Sequence, residues 1–165
     1  MVVAPTVHIH RQGKLLATEG AVVYAVIDPT ALHDDGDVPR TAAVIASVLE
    51  EHKMVALLMI IEHGTTKPTP DERREMQEAL ARFGDRLVVG YAFCGLGFWA
   101  NTLHMVLVGI SRLAGSPVII QGSVAETAER LALELIGLNP ERMTRNGEAL
   151  RKMLTDELSA ELSSP

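Results

Sequence analysis

The chain is poor in cysteine and in aromatic residues, with a single cysteine, Cys94, and 4% aromatic side chains among 165 residues. A single thiol excludes an internal disulfide framework and a thiolate metal cluster. The apolar runs stop short of the roughly 18 residues that a membrane-spanning helix needs. The N-terminal residues also lack the basic-then-apolar order of a signal peptide. These absences predict a cytoplasmic protein without a membrane span.

The charge balance argues against a nucleic-acid partner. The formal net charge is -6, from 15 basic and 21 acidic residues. The basic residues are scattered among the acids, whereas phosphate binding needs a clustered basic face. With 47% hydrophobic residues, the chain has enough apolar material for one globular core.

An uninterrupted apolar segment is the clearest structural signal. Residues 54–61, MVALLMII, are bounded by turn signals and show no polar alternation. Such a run is typical of a strand covered on both faces in the middle of a parallel sheet. Around it we expect strands or helices at residues 6–11 (strand), 15–27 (extended, strongest over 21–27), 38–52 (helix), 70–83 (helix), 87–93 (strand), 98–113 (helix), 118–121 (strand), 124–138 (helix) and from 140 onward (helix).

This order predicts an α/β fold. Strands separated by helices of this length are joined by crossovers and should lie parallel. We therefore expect a mixed, mostly parallel sheet with an N-terminal hairpin and helices packed on it. Residues 6–138 would form this domain, and residues 139–165 a C-terminal helical extension. Local signals predict helix caps at Asp37, Thr69 and Ser123.

Three segments of the chain resemble a known family in sequence: VVYAVID (22–28), VALLMIIEH (55–63) and LVVGYAFCGLGFWANTLHMVLVGISRLAGSPVIIQGSVAETAERL (87–131). In these segments and in element order it resembles the STAS superfamily, which includes the anti-sigma-factor antagonists and the SpoIIAA-like domains, over roughly residues 7–137. The resemblance implies a non-enzymatic signalling or scaffold module that binds proteins.

The loop after the central strand departs from that family. In anti-sigma-factor antagonists it carries an Asp-Ser-Ser-Gly type motif whose phosphorylated serine begins the next helix. Here residues 63–70 read HGTTKPTP, so Thr65, Thr66 and Thr69 stand in its place beside His63. Thr69 is interpreted as a helix cap. Its alternative is a regulated site, because phosphate is favoured at a helix N-terminus.

The helix predicted over residues 98–113 has almost no charge before Arg112. A helix that is apolar nearly all round is buried on more than one side. We therefore expect an interaction surface at Trp99, His104, Met105 and Val108. The partners would be a second copy of the chain, as a homodimer, and an unidentified protein.

The alternative is a small-molecule or lipid-binding protein, or an enzyme, with a pocket at the C-terminal edge of the sheet that uses Cys94 and His63. A thiol between a strand and a helix N-terminus can have its pKa lowered by the helix field. The glycines Gly95 and Gly97 also fit a dinucleotide fingerprint formally. However, no acidic residue ends the following strand to bind a ribose, so no cofactor is expected.

Two groups of residues suggest a metal without giving a recognised spacing. His8 and His10 share one face of a strand, and His33 or Asp34 could be a third ligand. The carboxylates Asp28, Asp34, Asp35 and Asp37 crowd one loop, but their spacing is not that of a calcium loop. We therefore expect no metal site. The favoured interpretation is a protein without enzymatic activity, and a cysteine-dependent enzyme is the alternative.

Overall fold

The computed structural model of the chain describes residues 3–95, 98–115 and 117–164. The strands are β1 (Thr6–Arg11), β2 (Lys14–Glu19), β3 (Val22–Ile27), β4 (Val55–Glu62), β5 (Leu87–Cys94) and β6 (Val118–Gln121). The helices are α1 (Asp37–Glu51), α2 (Pro70–Phe83), α3 (Phe98–Ala114), α4 (Val124–Glu134) and α5 (Pro140–Leu162).

The strands form one six-stranded sheet in the order β1-β2-β3-β4-β5-β6. The pairs β1–β2 and β2–β3 are antiparallel. The pairs β3–β4, β4–β5 and β5–β6 are parallel. This arrangement confirms the predicted α/β class and the mixed sheet.

The N-terminal part has three strands where the sequence predicted two. The predicted extended segment from Leu15 to Ile27 breaks at Gly20, whose φ is +56°. Glycine adopts such a φ without strain, so it permits a tight hairpin turn, and Glu19 then pairs with Val22. The register of β1 against β2 shifts between Val7 and Ile9.

The crossover helices all lie on one side of the sheet. The side that packs against α1, α2 and α3 is called the front face, and the side against α4 and α5 the back face. The strands alternate accordingly: Tyr91 and Phe93 of β5 belong to the front core, and Val88 and Ala92 to the back core. Parallel strands added always in the same direction by right-handed crossovers produce this one-sided layer.

The back face is closely packed. A β-carbon on Gly90 of β5 would lie 2.7 Å from the Thr127 side chain of α4. A β-carbon on Gly147 of α5 would lie 2.8 Å from the Val124 side chain. The two glycines therefore let α4 and α5 approach the sheet and each other. On α5, Met143, Leu150 and Leu154 are buried there.

Two of the predicted helix caps are present and one is wrong. The Thr69 hydroxyl accepts from the Glu72 backbone N–H, and the Glu72 carboxylate accepts from the Thr69 backbone N–H. The Ser123 hydroxyl accepts from the backbone N–H three residues on. The N-cap of α1 is Gly36, not Asp37. Asp37 is instead the first helical residue, because its carboxylate is engaged by Arg11 and Lys14.

Candidate functional site

A cavity of about 270 Å³ lies between the front face and the helices α1 and α2. Its walls are mostly apolar. The sheet contributes Leu57, Met59 and Ile61, and the helices contribute Ile45, Met76 and Leu80.

The cavity arises because α2 is anchored at its C-terminal end. Leu80 and Phe83 are buried in the front core. Met76 and Ala79, nearer the start of the helix, are only half-buried and line the cavity. Small side chains at Ala42 of α1 and at Ala79 fill little of the space opposite the large residues of β4. The front layer is thus less tightly packed than the glycine-lined back layer.

Polar side chains lie at one end of the cavity. They belong to segments that follow β3 and β4, among them Asp37, Thr65, Thr66, Thr69 and Glu72. Since β3 and β4 are parallel, these segments meet at the C-terminal edge of the sheet. We call this end the mouth.

A chain of ion pairs forms one side of the mouth. Arg11 of β1 and Lys14 of β2 both donate to the carboxylate of Asp37. Arg11 also donates to Asp34 at 2.6 Å, and Arg40 donates to Asp34 at 3.1 Å. The Arg11 hydrogen bond holds the pKa of Asp34 well below its usual range. Burial, and then the charge of Arg11, lower the pKa of Lys14.

His33 links the two sides of the mouth. One ring nitrogen lies 2.8 Å from a carboxylate oxygen of Glu72 in α2. The other lies 2.8 Å from a carboxylate oxygen of Asp35 in its own loop. Glu72 is the same residue that completes the capping box with Thr69. The loop before α1 is therefore joined directly to the first turn of α2.

The predicted loop residues divide into two groups. Thr65, Thr66 and Thr69 line the cavity. Thr65 is buried, and its hydroxyl donates to the Glu62 carbonyl at 2.7 Å. His63 and Gly95 pack against each other, since a β-carbon on Gly95 would lie 2.6 Å from the His63 ring. Neither belongs to the described lining of the cavity, and Gly97 lies outside the described residues.

Cys94 is also away from the cavity. It packs against the back core, because its place in β5 points it to the side opposite Phe93. Burial raises the pKa of the thiol to about 11. This shift is opposite to the one expected from a helix N-terminus, so the thiolate nucleophile considered from the sequence is not favoured.

The sequence did not predict most of the ion pairs at the mouth. Arg11, Lys14, Asp37 and Glu72 were not singled out together, although Arg11 and Lys14 flank the first hairpin turn and Asp37 begins a helix. Their pairings join residues 23 and 26 positions apart. No local pattern signals such contacts.

The histidines considered as metal ligands are separated. His8 lies 2.7 Å from the Thr18 hydroxyl, His10 pairs with Glu157, and His33 is held by Glu72. Among the described residues, no group of three or more His, Cys, Asp or Glu side chains is placed to hold a metal ion.

Helix α3 buries one side on the front face through Leu103, Leu107 and Ile110. On the predicted interaction surface, Met105 is 77% exposed. His104 is exposed and its ring stacks on Phe93, with centroids 6.3 Å apart. Val108 is half-buried. The side chain of Trp99 lies outside the described residues.

Searches with family models, among curated proteins and among solved structures found no match to the chain. Within the described residues, no helix combines the length and the hydropathy that crossing a bilayer requires.

Proposed function

We propose that the protein binds a small apolar or amphipathic molecule in the cavity under α1 and α2. The observation that carries this proposal is the distribution of polarity: an apolar space of about 270 Å³ with charged groups confined to its mouth. Ligand sites are typically concave and mostly apolar, with a few polar groups that fix orientation. The ligand class that fits is a compact apolar body with a single polar end.

Binding fits the mouth better than catalysis does. The charged groups there are paired with one another, as in Arg11 with Asp34 and Lys14 with Asp37. A general acid or base needs reach to a substrate proton and a suitable pKa. Because its charges are paired with one another, the rim instead forms a nearly neutral opening through which an apolar molecule can pass.

Filling the cavity tests this proposal. We expect Ala79→Phe to weaken binding of the fluorescent probe N-phenyl-1-naphthylamine at least about tenfold, which corresponds to ~1.4 kcal/mol. The matched control is Ala81→Phe, since Ala81 is exposed on the same helix and its replacement leaves the cavity open. Fluorescence titration of the full chain measures both affinities. Equal binding by the two variants, or no probe binding by the wild type, would refute the proposal.

A second candidate function is the self-association through α3 that the apolar character of this helix predicts. The specific observation is that Met105 and Leu113 on this helix are 77% and 75% exposed. Large exposed apolar side chains on one element favour a partner. The occupant that we propose is the same helix of a second copy.

Molar mass in solution tests the second candidate. We expect light scattering to give about twice 17.8 kDa for the wild type and a monomer for Met105→Asp. Met153→Asp is the control, because Met153 is 41% exposed on α5, away from α3. A wild-type monomer, or a dimer that survives Met105→Asp, would rule out this interface.

A further inference from the structure

The loop between β3 and α1 covers part of the mouth. Leu32 and His33 both line the cavity. Leu32 is 66% exposed, which places a large apolar side chain at the boundary between cavity and water. The position of this loop therefore decides how open the mouth is.

The loop is attached at both sides. On the sheet side, the Asp28 backbone N–H donates to the Gly13 carbonyl at 3.0 Å, and Asp34 accepts from Arg11. On the helix side, His33 contacts Glu72 of α2. Breaking the His33 contact would free the edge of the loop that faces α2 while the sheet side stays attached.

The geometry around His33 suits the protonated ring. Each ring nitrogen lies 2.8 Å from a carboxylate oxygen, of Glu72 and of Asp35. An imidazolium has two N–H donors, whereas a neutral imidazole has one donor and one lone pair. A neutral ring can keep at most one of the two contacts, and its ionic attraction to Glu72 is lost whichever contact remains.

The other charged groups near the mouth are held by each other. Arg11 of β1, Lys14 of β2, and Asp37 and Arg40 of α1 form one network with Asp34 of the loop. His33 faces Asp35 and Glu72. Of these groups, His33 is the one whose ordinary pKa lies closest to neutrality.

The pKa shifts agree with this geometry. The hydrogen bond to Glu72, and then that to Asp35, raise the pKa of His33. Burial opposes ionisation of Glu72, but hydrogen bonds from Thr69 and His33 outweigh it and lower the pKa of Glu72. Because the pKa of His33 is raised in the folded protein, its ionic contact with Glu72 is fully formed below the ordinary histidine pKa of about 6.5. The contact weakens as the pH rises through the raised pKa of the folded protein.

We propose that His33 and Glu72 form a proton-controlled clasp on the cavity, closed when His33 is charged and loosened when His33 loses its proton. The proposal rests on the proposed function, because it regulates uptake by the same cavity. Apart from any ligand, the proposal requires that residues 31–33, between the two attachments to the sheet side, become more open as the pH rises.

Hydrogen exchange tests the clasp without any ligand. We expect the protection of residues 31–33, corrected for intrinsic exchange, to fall about twofold to fivefold between pH 6 and pH 8.5, the range for an exposed ion pair. In His33→Gln protection should be low at both pH values. Glu72→Gln should behave in the same way, since glutamine keeps the capping box but removes the charge. His8→Gln, on β1, is the control and should follow the wild type.

The rate of N-phenyl-1-naphthylamine uptake, measured by stopped flow, connects the clasp to binding. We expect faster uptake at pH 8.5 than at pH 6 in the wild type, and no such difference in His33→Gln. Exchange that is independent of pH, or a pH response that persists in His33→Gln, would overturn the clasp. A pH-dependent loop in a protein that never binds the probe would instead uphold the clasp and overturn the proposed function.

Discussion

Replacing Gly13 by alanine should destabilise the protein far more than replacing Gly20 by alanine. Both residues are hairpin-turn glycines with positive φ, +71° and +56°, and an alanine in this region costs about 1–2 kcal/mol. Nothing lies within 4 Å of a β-carbon built on Gly20. A β-carbon on Gly13 would overlap the backbone nitrogen and α-carbon of Ala31.

Backbone atoms cannot change rotamer as a side chain can, so the loop that contains Ala31 must move in Gly13→Ala. Overpacking of this kind adds about 1–3 kcal/mol. We therefore expect the free energy of unfolding to fall by ~3 kcal/mol or more for Gly13→Ala and by ~1–2 kcal/mol for Gly20→Ala. Urea denaturation followed by circular dichroism measures both. If both variants lost the same free energy of unfolding, the overlap with Ala31 would not contribute to the destabilisation.

Gly147→Leu should be the second severely destabilising substitution. The helix α5 lies against Val124 and Ile60 at this point, 2.8 Å and 3.1 Å from a β-carbon on Gly147. A leucine there would push α5 away from α4 and β4, uncovering a core that includes Leu150 and Leu154. We expect a loss of about 3 kcal/mol or more, as for a disrupted core.

A second glycine inside a helix provides the control. Gly109 of α3 has nothing within 4 Å of its β-carbon position. Because glycine is a poor helix former, Gly109→Ala should stabilise the protein by about 0.5–1 kcal/mol. Thermal unfolding of both variants gives the comparison. A stable Gly147→Leu protein would mean that the back layer is looser than its distances indicate.

The parts of the fold that depend on local pattern could be predicted from the sequence. The strands Thr6–Arg11 and Val118–Gln121 have the expected bounds, and the Thr69 cap is present. The split at Gly20 was missed because a single glycine within a long extended segment is a weak signal.

The cavity could not be predicted in the same way. It depends on how far α2 stands from the sheet, which is the summed result of packing at Leu80, Phe83 and the strands beneath them. The face of each β5 side chain was within reach of sequence reasoning, since alternation puts Cys94 opposite Phe93. The pairing of Lys14 with Asp37 was not, because it joins distant segments.

The sequential strand order has a consequence for folding. Each strand pairs with its nearest neighbour in the chain, so no strand has to insert between two that are already paired, and the sheet can extend from β1 in the direction of synthesis. Low sequence separation between partners favours fast folding. The helices α4 and α5 follow all six strands in the chain, so we expect the apolar back face around Leu58 and Ile60 to stay exposed until both helices have been synthesised. We therefore expect the domain to be most prone to aggregation before α5 has packed on the sheet.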